Sequence, residues 1–282
     1  MENIEHSVTY TKDYRLKVSY LKAYEFYLHA IIKYKQFIFV NFLKYFKASY
    51  EQSFLRITWK IILPLVPVSV YVILQEFGLL RSNSIMPSVL YVVIGMAFWQ
   101  LFSSAITVTM NTPSKEKAVL KKVTIPLILF YISSLGEVFF DYLIRVVLIW
   151  VLLFYLKLEF SLTWLLLPIF CLPLALLGAV IGIFCSFFVI FFNDVRNIVD
   201  IFLKYGLFVC GVLFPLPGSG LFHTFFSYNP IYIYIENLRQ LIVFSTFNDV
   251  EHFLYTTLGL IVALIFVLKK LYSLEPRMRE YL

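Results

Sequence analysis

Long apolar runs recur along the chain and are separated by short stretches that carry most of its charges. A helix needs about 20 mostly apolar residues to cross a bilayer. Six runs approach that length, and we expect each to form a transmembrane helix. The pattern therefore predicts an all-α polytopic membrane protein. The predicted spans are approximately Ile57–Leu74, Ile85–Met110, Gly136–Leu156, Leu162–Phe192, Ile198–Pro215 and Phe253–Leu268.

The lysines and arginines are distributed unevenly between alternate connections. Residues 1–60 hold ten of them, the connection 111–124 four, the connection 191–204 two and the tail 269–282 four. The three other connections hold one each, at Arg81, Lys157 and Arg239. Because short cytoplasmic loops are enriched in Lys and Arg, we predict that both termini are cytoplasmic. An even number of spans agrees with that orientation.

The residues before the first span form a segment of their own. Apolar residues recur on one helical face between residues 31 and 49, and a basic amphipathic helix next to a span typically lies on the anionic leaflet. We predict an N-terminal cytoplasmic segment with an interfacial helix (1–56), a six-helix transmembrane domain (57–272) and a cytoplasmic tail (273–282). The alternative for the N-terminal segment is a flank that serves topology alone. The apolar face holds Ile31, Tyr34, Ile38, Phe42, Tyr45 and Phe46, opposite Lys33, Gln36, Lys44 and Lys47.

The connection between the fifth and sixth predicted spans, residues 216–251, is too apolar for a loop in water. Asn229, Pro230 and Arg239 interrupt it. A seventh span is the alternative, which we reject because it would place the charged C-terminal tail on the external side. Irregular backbone at membrane depth is stable only where protein or water covers it. We therefore expect a re-entrant pair of short helices on the external side.

Composition supports this fold class and removes others. The chain is 61% hydrophobic and 15% charged, with a mean hydropathy of +0.83, whereas soluble domains average about 25% charged residues. A soluble or disordered protein is thereby excluded. The formal charge of +7 reflects the basic cytoplasmic segments, so we expect membrane lipids and no nucleic acid as partners.

Residues suited to catalysis or metal binding do not cluster in the sequence. The four histidines are far apart, and Cys171, Cys185 and Cys210 lie singly inside apolar runs. No glycine is followed by lysine, so the phosphate loop of ATPases is missing. We expect no catalytic site, no metal and no cofactor in this chain, so any ATP-driven step needs a partner.

Three charges fall inside the third predicted span. Glu137, Asp141 and Arg145 recur at every fourth position and share one helical face. Each costs up to about 3 kcal/mol at the bilayer centre. We expect Asp141 and Arg145 to pair with each other or to face the interior of the bundle. A contact with a substrate is the alternative.

Aromatic residues make up 19% of the chain. Tryptophans near span ends are typical of the membrane interface, and aromatic faces inside spans suit sugar rings. Lipid contact or packing is the alternative for each residue. Gly178 and Gly182 form a G-x-x-x-G pattern that allows two helices to approach closely. Six aromatic residues are candidates for lining a channel: Trp59, Trp99, Phe102, Phe202, Tyr205 and Phe208.

From about Tyr45 to its C-terminus, the chain resembles the permease subunits of ABC-2-type polysaccharide exporters, which move O-antigens, capsules or teichoic acids. Eight short segments in the expected order carry the resemblance. They are Lys47–Pro64, Gly95–Ser103, Leu120–Pro126, Asp194-Val195, Phe214-Pro215, Asn229-Pro230, Arg239 and Leu274-Glu275-Pro276.

The resemblance implies a permease in the bacterial plasma membrane that acts as a homodimer with two ATP-binding cassette subunits. Those subunits would bind ATP and Mg²⁺, and a lipid-linked polysaccharide would be exported. The stretch from Met110 to Lys122 would be the coupling helix that contacts the ATPase, and Asn229, Pro230 and Arg239 would belong to an external gate. The coupling residues would be Lys115, Glu116, Lys117, Lys121 and Lys122.

Three other functions remain open at this point. An ABC-2 permease for drugs or lipids would share the fold. A membrane-embedded glycan-processing enzyme would need clustered acidic or histidine residues. A passive channel or scaffold would work without an ATPase.

Overall fold

The computed structural model describes residues 14–50, 88–158, 160–214, 227–247 and 249–282, with isolated positions at 62, 66, 69, 70, 73, 77, 220 and 224. Within these ranges, the regular secondary structure is helical throughout. The helices are α1 (Tyr14–Lys17), α2 (Tyr20–Lys33), α3 (Lys35–Tyr50), α4 (Ser88–Lys115), α5 (Lys117–Leu120), α6 (Leu127–Tyr155), α7 (Thr163–Phe170), α8 (Leu172–Val189), α9 (Asp194–Val209), α10 (Pro230–Phe244) and α11 (Val250–Tyr281).

Four of the described helical stretches are long and apolar enough to cross a membrane: Val89–Lys115, Leu127–Tyr155, Thr163–Val189 and Val250–Tyr281. They correspond to the second, third, fourth and sixth predicted spans. The first predicted span lies almost entirely outside the described residues. The fifth corresponds to α9, which has only 16 residues. The count of six spans and the cytoplasmic position of the termini therefore stay predictions.

The helices extend beyond the apolar runs from which they were predicted. The third begins at Leu127, nine residues before Gly136, and the sixth continues to Tyr281. The fourth is interrupted at Cys171, where α7 ends and α8 begins. Pro173 follows two residues later, and a proline removes a helical hydrogen bond.

Helix α4 is the centre of the bundle and packs most closely against α8. A Cβ atom on Gly178 would lie 2.6 Å from the Phe102 carbonyl oxygen, and one on Gly182 would lie 2.0 Å from Thr109 Oγ1. Only a residue without a side chain permits this approach, as small residues do between membrane helices. The G-x-x-x-G pattern is thus a packing site between α8 and α4.

The bundle has two ends that we name by their contents. The terminal end holds α1, the basic loop (residues 115–126) and the last turns of α11, since Arg15 and Glu275 lie 3.6 Å apart there. The far end holds α10 and the turn after α9, because Arg239 donates to the Gly211 carbonyl oxygen. Every functional residue predicted in the described part can be placed relative to these two ends.

The predicted amphipathic segment forms two helices, α2 and α3, with a break at Tyr34. Its apolar residues pack on α6: the rings of Phe46 and Phe140 lie 4.8 Å apart, and Phe42 fills the space beside Gly136. Lys33, Gln36, Lys44 and Lys47 are exposed, as the pattern predicted. The amphipathic helix therefore packs against the bundle as well as facing outward.

Candidate functional site

The basic loop presents four exposed lysines and buries one carboxylate. Lys115, Lys117, Lys121 and Lys122 are exposed, whereas Glu116 is only 2% exposed. These are the five residues predicted for ATPase coupling. The structure brings all five together in one short segment, but the four lysines are exposed to solvent and Glu116 is buried.

Glu116 fixes the loop to α3. Lys44 Nζ lies 3.0 Å from both carboxylate oxygens of Glu116. Beside this pair, Lys115 Nζ sits 4.4 Å from the centre of the Tyr45 ring. Burial, together with the Glu116 carboxylate, raises the pKa of Tyr45 above its usual value, so its ring faces the cation as a neutral phenol. A movement of the loop would therefore be transmitted to the N-terminal helix.

The last helix fixes the other side of the loop. Arg279 Nη1 donates to the carbonyl oxygens of Leu120 (3.1 Å) and Val123 (2.8 Å), and Nη2 donates to that of Ile125. These carbonyls lie at the C-terminal end of the short helix α5 and just after it, where the last carbonyls of a helix lack helical partners. We call this set of contacts the Arg279 clamp.

Glu275 also takes part in the Arg279 clamp. Its Oε1 accepts the backbone N–H of Leu127 at 2.9 Å and pairs with Arg279 Nη2 at 2.8 Å. A carboxylate at a helix N-terminus is favoured because the first N–H groups there lack partners. Arg15 lies 3.6 Å from the other oxygen. One buried carboxylate thus joins α1, α6 and α11.

The sequence analysis identified Leu274-Glu275-Pro276 only as a matching segment, placed Lys44 only on the polar face of the amphipathic helix and assigned no role to Arg279. The available signal was the spacing of Glu275 and Arg279, because residues four apart on a helix lie on one face. Nothing in the sequence indicated that their partners would be carbonyl oxygens of a loop some 150 residues away.

At the far end, Arg239 is completely buried. Its guanidinium donates to the carbonyl oxygens of Gly211 (3.0 Å) and Val212 (2.6 Å), which follow the last residue of α9. It lies 3.6 Å from the centre of the Tyr91 ring. Glu236 Oε2 is 3.1 Å from Nη1 and balances the charge. We call this set of contacts the Arg239 brace.

The other two predicted gate residues begin α10. Asn229 caps the helix by accepting the Ile231 N–H at 3.0 Å, and Pro230 is its first residue. Both ends of α10 lie at the far end, since Trp164 Nε1 of α7 donates to the Ile242 carbonyl oxygen. This helix fits one member of the expected re-entrant pair. The other member falls largely outside the described residues.

The predicted channel residues separate into two groups. Trp99 and Phe102 are buried in the core of α4, where Trp99 packs under Gly206. Phe202, Tyr205 and Phe208 are at least half exposed on α9. Trp59 lies outside the described residues.

The exposed face of α9 also carries charges. Asp200 and Lys204 are exposed there, one turn apart, beside the three aromatic residues. At 1.5 Å per residue they lie about 9 Å and 15 Å along the helix from Asp194. A face of this composition is poorly suited to hydrocarbon, where each charge costs about 3 kcal/mol.

The three charges on α6 are half-buried. Asp141 lies close enough to Arg145 to interact with it electrostatically. Arg145 Nη1 is buried and has no hydrogen-bond partner in the described part of the chain. At least this nitrogen of the Arg145 guanidinium is therefore enclosed by protein.

These features indicate a multi-pass helical membrane protein. Its basic loop is held by the Arg279 clamp at the terminal end, and its far end is held by the buried Arg239 brace. No protein-family model matches the chain. The chain is similar to the O-antigen export system permease protein RfbA of Klebsiella pneumoniae, with 24% identity over 210 residues, which cover 72% of this chain and 78% of that relative. This similarity supports a distant relationship to ABC-2-type permeases.

Proposed function

We propose that this chain is the permease subunit of an ATP-driven exporter that moves a lipid-linked polysaccharide across the bacterial plasma membrane. The similarity to an O-antigen export permease over 72% of the chain carries the proposal. An O-antigen or a capsule is the preferred cargo, followed by a teichoic acid. The chain itself supplies the path, and a partner supplies the energy.

The partner is a pair of ATP-binding cassette subunits that hold ATP and Mg²⁺. The basic loop is the surface that fits them, because Lys117, Lys121 and Lys122 project from a turn held on both sides. The Glu116–Lys44 pair and the Arg279 clamp support this role, since a fixed loop transmits a push that a free loop would absorb. The push reaches α3 through Glu116 and α11 through Arg279.

The second copy of the chain covers the exposed face of α9. Asp200 and Lys204 would be costly against lipid, but against a second copy or a hydrated path they find polar partners. Phe202, Tyr205 and Phe208 then lie along the path between the two copies. Exposed aromatic rings bind sugars weakly and interchangeably, which suits a polymer that moves step by step.

The test is co-purification followed by an ATPase assay. The full chain, isolated in mild detergent from its native cell, is expected to bring an ATP-binding subunit with it at equal stoichiometry. Double charge reversal, Lys121→Glu with Lys122→Glu, is expected to abolish stimulated ATP hydrolysis and export while the protein stays folded.

The matched control is Lys157→Glu, an exposed lysine on the turn after α6 at the opposite end. It is expected to behave as the unaltered protein. Full export with the reversed loop would overturn the coupling role, and isolation without any ATP-binding subunit would favour a passive channel. If a drug or a free lipid stimulated ATP hydrolysis and a lipid-linked glycan did not, the proposed cargo would be wrong.

A further inference from the structure

A pocket of about 150 Å³ opens at the terminal end between α1, α2, the end of the basic loop and α11. At about 30 Å³ for a water-sized group, it has room for about five such groups, which is the size of one short polar side chain. Arg15, Thr124, Glu275 and Arg279 supply its polar wall, and Phe26 supplies part of its apolar wall.

The pocket lies beyond the apolar part of α11. Glu275 follows Leu268, the last residue of the apolar run, by seven residues, which is about 10 Å along the helix. On the other side of the pocket, Thr124 is two residues after Lys122 of the basic loop. The pocket is therefore outside the hydrocarbon and adjoins the loop that we propose binds the ATP-binding subunits.

Helix α11 fixes the position of Arg15. The Arg15 carbonyl oxygen accepts hydrogen bonds from Lys269 Nζ and Ser273 Oγ, both at 3.3 Å. The guanidinium carbon lies 5.1 Å from the centre of the Tyr272 ring and 5.8 Å from that of Phe26. Aromatic rings at such distances attract a guanidinium. The Arg15 side chain is thus held in place by this chain alone.

The guanidinium of Arg15 has unused hydrogen-bond donors. Its ionic contact in the described part of the chain is with Glu275, and the 3.6 Å between Nη1 and Oε2 is too long for a hydrogen bond. The Arg15 side chain is 34% exposed. Thr124 is exposed in the same pocket, and no described residue forms a hydrogen bond with its hydroxyl. The polar groups that an occupant can reach are therefore donors.

The other two charged groups of the pocket are already engaged or buried. Every N–H group of the Arg279 guanidinium donates, either to the loop carbonyls or to Glu275 Oε1. Glu275 Oε2 has no hydrogen-bond donor among the described residues, but it is buried, so an occupant cannot reach it without a movement. Two guanidinium groups thus face one carboxylate, and a second carboxylate would balance the charge.

We propose that this pocket binds an aspartate or glutamate side chain of the ATP-binding subunit, and that Arg15 recognises it. This inference rests on the proposed function, because it names a contact with the same partner. A planar guanidinium presents two N–H groups to one carboxylate, and the Thr124 hydroxyl adds another donor. Helix α1 is then a second docking element beside the basic loop.

The test titrates the full chain in lipid nanodiscs with the ATP-binding subunit purified from the same complex. Arg15→Gln is expected to weaken binding about tenfold, because the partner carboxylate loses its cation. Arg15→Lys keeps the charge but not the two parallel donors, so it should recover part of the affinity. Lys17→Gln is the matched control, since Lys17 is an exposed cation on α1 that does not line the pocket. It should bind as the unaltered protein does.

A carbodiimide identifies the group that Arg15 contacts, because it joins an amine to a carboxylate in direct contact. In the complex of the Arg15→Lys variant, mass spectrometry is expected to find the new amine joined to an aspartate or glutamate of the ATP-binding subunit. An amide with Glu275 alone would show that the contact is internal to this chain and would overturn the proposal.

Stability is measured in parallel because Arg15 also pairs with Glu275. The unfolding midpoint of the Arg15→Gln chain without its partner is expected to change little, since the pair is long and partly exposed. A midpoint that fell in step with the affinity would assign Arg15 a structural role only. Unaltered affinity in Arg15→Gln, or an equal loss in Lys17→Gln, would also overturn the pocket as a specific site.

The source of the carboxylate is tested by the composition of the nanodisc. An effect of Arg15→Gln that occurred only with phosphatidylglycerol, and not with phosphatidylcholine, would assign the pocket to a lipid phosphate and overturn the proposal. In these outcomes the ATP-binding subunit still binds, so the proposed function stands. If no ATP-binding subunit bound the unaltered chain, the proposed function and this site would both be wrong.

Discussion

Each end of the bundle is held by one arginine that donates to backbone carbonyls, yet the two arginines work in different surroundings. Arg239 is fully buried and binds carbonyls that lie 27 and 28 residues away. The Arg279 side chain is 21% exposed and binds a loop some 150 residues earlier, beside exposed lysines. The Arg239 brace is therefore enclosed by protein at the far end, whereas the Arg279 clamp is partly exposed to solvent at the terminal end.

This contrast separates a structural role from a mechanical one. A buried guanidinium cannot change partners without leaving carbonyls unsatisfied, which costs about 1–3 kcal/mol for each group. A partly exposed guanidinium loses less, because water replaces a lost contact. The brace is therefore suited to rigidity and the clamp to transmitting movement.

The largest expected effect is on the brace. Arg239→Leu removes both carbonyl contacts and leaves Glu236 without its cation. Breaking a buried charged pair in this way costs about 3–5 kcal/mol. Thermal unfolding in detergent should show a large fall in midpoint, while Lys157→Leu at the same end should leave it unchanged. An equal midpoint in the two variants would contradict the brace.

The central packing is expected to be the next most sensitive. Gly182→Val would place a side chain 2.0 Å from Thr109 Oγ1 and 2.5 Å from the Ile106 carbonyl oxygen. Overpacking of this kind costs about 1–3 kcal/mol. The control is Gly259→Ala, since Gly259 in α11 has nothing within 4 Å of a Cβ atom. If Gly259→Ala were equally destabilising, the loss of stability would come from replacing a helical glycine and not from the close approach of α8 to α4.

The clamp is expected to affect coupling more than folding. Arg279→Leu loses three carbonyl contacts at a partly exposed site, which we expect to lower stability by about 1–2 kcal/mol. ATPase stimulation in the complex should fall far more than the unfolding midpoint does. Arg277→Leu, at an exposed position two residues earlier, is the control. Normal coupling in Arg279→Leu would contradict the mechanical role.

A smaller effect is expected at Glu116. The pair is exposed on one side only, since the Lys44 side chain is 54% exposed and the Glu116 side chain is buried. Its contribution is therefore near the upper end of the range for surface pairs, about 1 kcal/mol. Glu116→Gln should therefore lower the unfolding midpoint only slightly and reduce the coupling of ATP hydrolysis to export. The double variant with Lys44→Gln should add little to either single change. Independent, additive losses would mean that the two residues do not act as a pair.

The smallest effect is pH-dependent and lies at the start of α11. The backbone N–H of His252 lowers the pKa of Asp249 below its usual value of 3.8. The carboxylate therefore stabilises the helix fully above pH 3.8, and this stabilisation is lost as the pH falls through the lowered pKa. The difference in midpoint between the unaltered protein and Asp249→Ala should shrink in that acidic range. A difference that grew on acidification would contradict the cap.

The apolar pattern predicted the described spans well because burial in lipid requires long apolar helices. It placed their ends poorly, since α6 and α11 continue into polar residues that tertiary contacts cover. Glu275 shows why: its carboxylate caps Leu127, a contact between residues 148 apart. Pattern and motif spacing cannot show such partners, because they report only neighbours along the chain.

The candidate site was predicted in the same uneven way. The lysines of the basic loop were sufficient to predict it from the sequence. The burial of Glu116 could not be predicted, because it depends on the contact between the loop and α3. Trp99 and Phe202 were equally good candidates for lining a channel on the basis of the sequence. Only the packing of the helices shows that the Trp99 ring is buried and the Phe202 ring exposed. Arg239 was expected at a gate, and its carbonyl partners are a feature that only the three-dimensional structure reveals.

The most direct measurement depletes the protein in its native cell and follows the surface polysaccharide. We predict that lipid-linked polymer accumulates on the cytoplasmic face while the cell surface loses its glycan, and that the unaltered chain restores it. A normal surface glycan after complete depletion, with no polymer retained inside, would contradict polysaccharide export.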